Sequence, residues 1–240
     1  MDHWGLKEKR GIVLDFDGTI CHLFHGFDLQ KTTDCLKMQL DPLGIIFDSS
    51  CDAFDVFEVI RNQLADSKQI QNAFKVADGI IKQAEIDAVE TCTMIDYCAE
   101  FISISLKKGY KIGISTNNSR ECVSKFICNQ MVKNSTNNDT SNDLVYALES
   151  IPIYGRDGTH PELMKPNPWS VLNVVNEMNL SIKDVIFIGD SLRDYDASVA
   201  ADCQFIAFGS TPKKKERFKT RIKEQLITAS YKDLIQRLFL

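Results

Sequence analysis

Four short apolar runs in this 240-residue chain end on polar residues at their carboxyl side, and helix-like patterns follow three of them. The first is Gly11–Phe16, which leads straight into Asp17-Gly18-Thr19. The second, Lys111–Ser115, leads into Thr116-Asn117-Asn118. Val123, Ile127 and Met131 then follow at steps of four, with Phe126 beside them. A weaker run, Ile151–Tyr154, is closed by Gly155. Beyond Lys165-Pro166-Asn167-Pro168, the residues Val171, Val174, Val175 and Met178 mark one face of a helix. The fourth run, Val185–Ile188, ends in Gly189-Asp190, and a fifth, Gln204–Phe208, precedes closing helices. Short buried strands alternating with amphipathic helices predict an α/β fold with a doubly wound parallel sheet. Such sheets bind ligands beyond the carboxyl ends of their strands. The polar clusters after the first, second and fourth runs are therefore expected at one edge.

The strand rhythm stops between Ile20 and about Thr91. Phe54, Val56, Phe57, Val59 and Ile60, then Ile70, Phe74, Ile80 and Ile81, give helix-like patterns instead. This predicts a small helical domain over residues 21–91, inserted into a Rossmann-like core of residues 1–20 and 92–240. The length suffices for one such core with a satellite. Asn134–Asn142 is a polar tract with no apolar residue to bury, and reads as a mobile loop. There is no internal repeat.

An apolar share of 44% and a charged share of 25% fit an ordinary globular protein. A formal net charge of −5 argues against nucleic acid or an anionic membrane as main partner. Neither a signal peptide nor a membrane-spanning run is present, so a cytoplasmic location is expected. The eight cysteines form no CxxC pair, which points to reduced thiols that pack as small apolar residues. The N-x-S/T sequences at Asn117, Asn134, Asn138 and Asn179 are expected to be silent.

Asp15 and Asp17 flank Phe16 at the end of the first run, and strand alternation would send both carboxylates to one face. Like charges so placed raise each other's pKa, a conflict that a divalent cation removes. Magnesium suits a site of one or two carboxylates plus phosphate oxygens. Asp190 can supply a further carboxylate and Asp194 an orienting one. Thr116 and Asn117 offer a hydroxyl, an amide and backbone N–H groups at a helix N-terminus, a natural phosphate cradle. Lys165 adds a cation in front of the stiff Pro166-Asn167-Pro168 segment.

Taken in order, Asp15-Phe16-Asp17-Gly18-Thr19, Ser115-Thr116-Asn117, Lys165-Pro166 and Gly189-Asp190-Ser191-Leu192-Arg193-Asp194 resemble the four motifs of the haloacid dehalogenase (HAD) superfamily. The resemblance spans residues 11 to about 210. Gly109-Tyr110-Lys111 and Tyr154-Gly155-Arg156-Asp157 make the chain similar to the phosphoglycolate-phosphatase-like branch, whose helical cap follows the first motif. The resemblance implies a Mg²⁺-dependent hydrolase of a small-molecule phosphate ester. Asp15 would be the nucleophile that becomes an aspartyl-phosphate, and Asp17 the general acid/base. Asp15, the backbone carbonyl of Asp17 and Asp190 would hold the metal, while Thr116 and Lys165 would bind the phosphoryl group. Ser115 is the alternative hydroxyl, because the motif can be read one residue earlier.

The cap decides the substrate in this superfamily, and here the sequence offers only His22, His25, Lys31 and Arg61 as candidate contacts, each of which also reads as ordinary surface. The run Lys213-Lys214-Lys215-Glu216-Arg217 reads as a solvated helix face. A sugar phosphomutase would keep every motif. A phospho-aspartate signalling module is a further alternative, although the inserted segment and Asp17 speak against it. The oligomeric state is not legible.

Overall fold

The computed structural model describes residues 9–47, 53–134 and 150–239. Its centre is a six-stranded sheet built from β1 (Gly11–Leu14), β4 (Lys111–Ser119), β5 (Ile153–Arg156), β6 (Val185–Gly189), β7 (Gln204–Phe208) and β8 (Ile227–Thr228). Every pairing is parallel, and the spatial order is β5-β4-β1-β6-β7-β8. The first strand in the sequence thus lies between β4 and β6. Leu14 stands opposite Ile114 on one side and Ile188 on the other, so Asp15 emerges level with Ser115 and Gly189.

The strands are apolar on both faces because helices cover both. Alternation sends Ile12, Leu14, Ile186, Ile188, Ile206 and Phe208 to one face. There they meet α4 (Cys98–Lys107), α5 (Arg120–Asn134) and the terminal α9 (Tyr231–Phe239). Val13, Val185, Phe187, Phe205 and Ala207 point the other way. They pack on α6 (Trp169–Glu177), α7 (Leu192–Ala200) and α8 (Pro212–Lys219). The predicted stripe Val171, Val174, Val175 and Met178 is buried in this second layer. Cys21, Cys92, Cys98 and Cys122 are buried within the first, where they act as small apolar residues. Strand β8 was not expected. At two residues it is too short to show a period, and it pairs only with Ala207 and Phe208 at the edge of the sheet.

After β1 the chain leaves the sheet and returns through a two-residue antiparallel ribbon, β2 (Cys21–His22) with β3 (Thr93–Met94). Between them lie α1 (Gln30–Leu40), α2 (Val56–Gln63) and α3 (Ser67–Ala88). These helices bury an apolar cluster of their own, centred on Leu36, Leu40, Val56, Phe57, Ile60, Phe74 and Ile81. The Asp66 side chain caps α3 by accepting from the N–H groups of Lys68 and Gln69. No helix among the described residues is long and apolar enough to cross a membrane. The polar tract lies outside the described residues apart from Asn134, the last residue of α5. Cys51 and Asn138 lie outside them as well.

Candidate active site

The cleft sits where the parallel register ends. Strand β1 stops at Leu14, and the next residues form a tight turn in which the Phe16 carbonyl accepts from the N–H groups of Thr19, Ile20 and Cys21. Strand alternation is therefore not what places the second aspartate. The turn does so, and the Leu23 N–H donates to Asp17 Oδ1 at 2.9 Å. Gly18 is held at φ 82°, and a Cβ there would lie 2.0 Å from Asp190 Oδ2. Only glycine lets this turn approach the neighbouring carboxylate.

Asp15, Asp190 and Asp194 converge, with one oxygen from each within 4.8 Å of the others. The Asp17 carboxylate is outside this group. Asp194 is fixed by a reciprocal cap at the start of α7: Ser191 N–H and Oγ–H donate to Asp194 Oδ2, and Asp194 N–H donates to Ser191 Oγ. Its other oxygen lies 2.6 Å from Lys165 Nζ. Lys165 is buried; it also donates to Asp15 Oδ1 at 2.7 Å and to the Ser115 carbonyl at 2.8 Å.

The electrostatics follow from this crowding. Burial and then Asp194 push the Asp15 carboxyl well above the usual range, and Lys165 offsets this only in part. Asp190 is raised by burial and Asp194, with Lys214 opposing. Asp17 is pushed up to about 6, chiefly by burial and against the Leu23 hydrogen bond. Burial alone would lower the Lys165 ammonium, but Asp15 and Asp194 outweigh it and hold it above its ordinary range. Four carboxylates thus face two lysines, leaving formally two negative charges uncompensated. That donor set, all hard oxygens with a charge excess of two, fits a divalent cation such as Mg²⁺.

Four expectations need correction or refinement. Strand β4 runs through Ser119 before α5 begins at Arg120, so Thr116 and Asn117 lie on a strand end and not at a helix N-terminus. The extension arises because Ser119 pairs with Arg156 of β5 after a register shift, while Glu85 Oε2 accepts from its N–H at 2.9 Å. Of the two candidate residues, Thr116 lines the cleft, its hydroxyl donating to Asn118 Oδ1 at 2.9 Å, whereas Ser115 Oγ lies 2.8 Å from Ser170 Oγ under α6. The Asn117 amide is occupied by the backbone of Lys165, donating to its carbonyl at 3.0 Å and accepting from its N–H at 2.8 Å. Finally, Lys214 is not part of a solvated face: its side chain is only 30% exposed and its ammonium pairs with Asp190.

Sequence reasoning missed a buried ionic network beside the end of β4, residues 116–119. Arg156 donates to Asp78 Oδ1 and to Glu85 Oε1, each at 2.7 Å, and to the Asn117 carbonyl at 2.8 Å. Asn118 Nδ2 also donates to Glu85. It missed the apolar wall as well: Phe24, Phe54, Phe57 and Met164 line the same cleft of about 180 Å³. His22, His25 and Lys31 do not line it. Arg61 opens onto an adjoining recess, where it donates to the Pro161 carbonyl.

A family model described as haloacid dehalogenase-like hydrolase matches residues 9–202. A curated relative, the D-glycero-α-D-manno-heptose-1,7-bisphosphate 7-phosphatase of Campylobacter jejuni, is 26% identical over 155 residues, which cover 61% of this chain and 86% of the relative. Among solved structures, a hydrolase from Pseudomonas syringae superposes with a TM-score of 0.62 at 16% identity, covering 95% of this chain and 97% of its own. A protein named as a predicted phosphoglycolate phosphatase from Haemophilus somnus superposes with 0.58 at 13% identity, covering 97% and 99%. At such identities the structures speak for the shared fold, while the match over residues 9–202 speaks for descent. The chain belongs to the haloacid dehalogenase-like hydrolases.

Proposed function

We propose that this hydrolase is a Mg²⁺-dependent phosphatase acting on a small-molecule phosphate monoester through an aspartyl-phosphate on Asp15. The observation that carries the reading is Asp15 itself: a buried carboxylate at a strand end, paired with Lys165 at 2.7 Å and set among the oxygens of Asp190 and Asp194. A carboxylate nucleophile splits ester hydrolysis into two easier displacements.

In the first, Asp15 bonds to phosphorus and the ester C–O⁻ departs, taking its proton from Asp17. In the second, Asp17 accepts a proton from water, which attacks phosphorus and releases Asp15 and inorganic phosphate. Lys165 and Thr116 hold the non-bridging oxygens, and Asp194 keeps the Lys165 ammonium in place from behind. Asp15, Asp190 and the Asp17 carbonyl would hold Mg²⁺, with Asp194 supporting. When bound, the ion would neutralise charge on the transferring group. Helices α1–α3, inserted at the mouth of the cleft, act as its cap.

Phosphate release from a panel of monoesters, with and without Mg²⁺, tests the reading. Asp15→Asn should fall to background. Asp17→Asn should still accept phosphoryl from an ester with a good leaving group, then stall for want of a base. Mass spectrometry should find the added phosphoryl on the peptide containing Asp15. Substantial activity in Asp15→Asn would overturn the proposal.

A further inference from the structure

The cleft changes character from floor to wall. Its floor is carboxylates, Lys165 and Thr116, whereas the wall is Phe24, Phe54, Phe57 and Met164. Phe24 and Phe54 face each other with ring centroids 4.7 Å apart and planes at 52°. They come from different layers, since Phe24 packs on the cluster against the sheet and Phe54 on the cluster among α1–α3. Both residues are partly exposed and line the cleft.

Polar groups that share this wall are already engaged. Arg156 is held by Asp78, Glu85 and the Asn117 carbonyl, and its guanidinium also lies over the Phe57 ring. The Asn118 side chain is bonded to Thr116 and Glu85. The Asn117 amide is bonded to Lys165, and Ser191 to Asp194. At the mouth, Arg193 pairs with Asp55. A polyhydroxylated leaving group would shed water here and find few polar side chains without a partner already, which selects against it. A flat apolar body would meet ring faces suited to offset stacking.

We infer that this site, if the phosphatase reading holds, takes phosphate esters of alcohols with a flat apolar body, arylalkyl or heteroaromatic, in preference to polyol phosphates. Phe24 and Phe54 are the specificity-determining residues. The test compares kcat/KM for 2-phenylethyl phosphate and glycerol 3-phosphate in the presence of Mg²⁺. Both leaving groups are alkyl alcohols of similar basicity, so the ratio reports the wall and not leaving-group reactivity. The aryl ester is expected to lead by about tenfold or more, as for one buried apolar group. Phe54→Ala, and the milder Phe24→Leu in case the first variant fails to fold, should collapse that ratio through a raised KM for the aryl ester.

Faster hydrolysis of glycerol 3-phosphate would overturn the inference and leave the phosphatase reading standing. A ratio unchanged in a folded variant would also overturn it, because the preference would then reside elsewhere. If neither ester nor p-nitrophenyl phosphate releases phosphate, both readings fall together.

Discussion

Asn117 shows how a residue type can be recognised for one task and found at another. Its amide forms a two-bond ring with the Lys165 backbone, across 48 residues of sequence, in the way one strand pairs with the next. The ammonium of Lys165 is thereby set from behind, while Asp15 and Asp194 hold its tip. Asn117→Ala should therefore keep the fold and lower kcat by about 10- to 100-fold, as expected when a charge is displaced by about an ångström. KM should change less. Ser115→Ala provides the contrast. Its hydroxyl is turned toward Ser170 and its contribution to the site is a backbone carbonyl, which the substitution retains. We expect about 1 kcal/mol of lost stability for the buried hydrogen bond and turnover close to wild type. Steady-state kinetics on the two variants, with a urea titration of each, checks both. Abolished turnover in Ser115→Ala would mean that Ser115, not Thr116, supplies the hydroxyl to the phosphoryl group.

At the scale of elements, the joint between α3 and the sheet is ionic, whereas α4, α5 and α9 meet the same sheet through apolar side chains. The buried face of α3 reads Phe74, Ala77, Asp78, Ile81, Ala84, Glu85, Ala88, a regular stripe with two acids seven residues apart. Two turns of helix bring both to one guanidinium, that of Arg156 on β5. Burial alone would lower the Arg156 pKa, but Glu85 and then Asp78 outweigh it. Removing the cation leaves Glu85 fully buried without its partner, so Arg156→Met should cost about 3–5 kcal/mol in a urea or thermal titration. Adding Glu85→Gln should recover part of that loss, because it removes the charge to be desolvated while the amide oxygen keeps one of the two donors, Asn118 Nδ2 or the Ser119 N–H. A double variant no more stable than the single one would refute the account. The stripe was visible in the sequence, and acids within it were the signal that went unread. Strands were easier: β1, β6 and β7 announce themselves by being apolar on both faces, and the polar residues after β1, within β4 and after β6 pointed to one edge. What the sequence could not supply were couplings between distant elements. Arg156 with α3, Lys214 of α8 with Asp190, and the meeting of Phe24 with Phe54 depend on how layers are laid together. No local period encodes that.

For the molecule as a whole, the candidate site is a concentration of charge that works against the folded state. Asp15, Asp17, Asp190 and Asp194 share one cleft in which Lys165 and Lys214 pair with them while Arg156 and Arg193 are paired with other acids, and the first three are held above their ordinary pKa. Stability stored in the apolar layers must offset this, as is usual where function sets side-chain placement. The consequence is a stability signature that can be measured without any substrate. In metal-free protein, Asp15→Asn removes one of the crowded carboxylates while Lys165 keeps Asp194 as partner. The variant should therefore melt at or above wild type, each 1 kcal/mol of relief raising the midpoint by about 2–4 °C at this chain length. Added Mg²⁺ binds the folded state and not the unfolded chain, so it should raise the wild-type midpoint in proportion to the logarithm of its excess over Kd. Asp15→Asn, having lost a ligand, should shift much less, so that the order of the two proteins reverses as Mg²⁺ is added. Scanning calorimetry in chelator and across a Mg²⁺ series reads this crossing directly. If the variant instead melted well below wild type in chelator and both responded equally to Mg²⁺, the carboxylates would be structural groups satisfied by their present partners, and assigning the cation to Asp15 would fail.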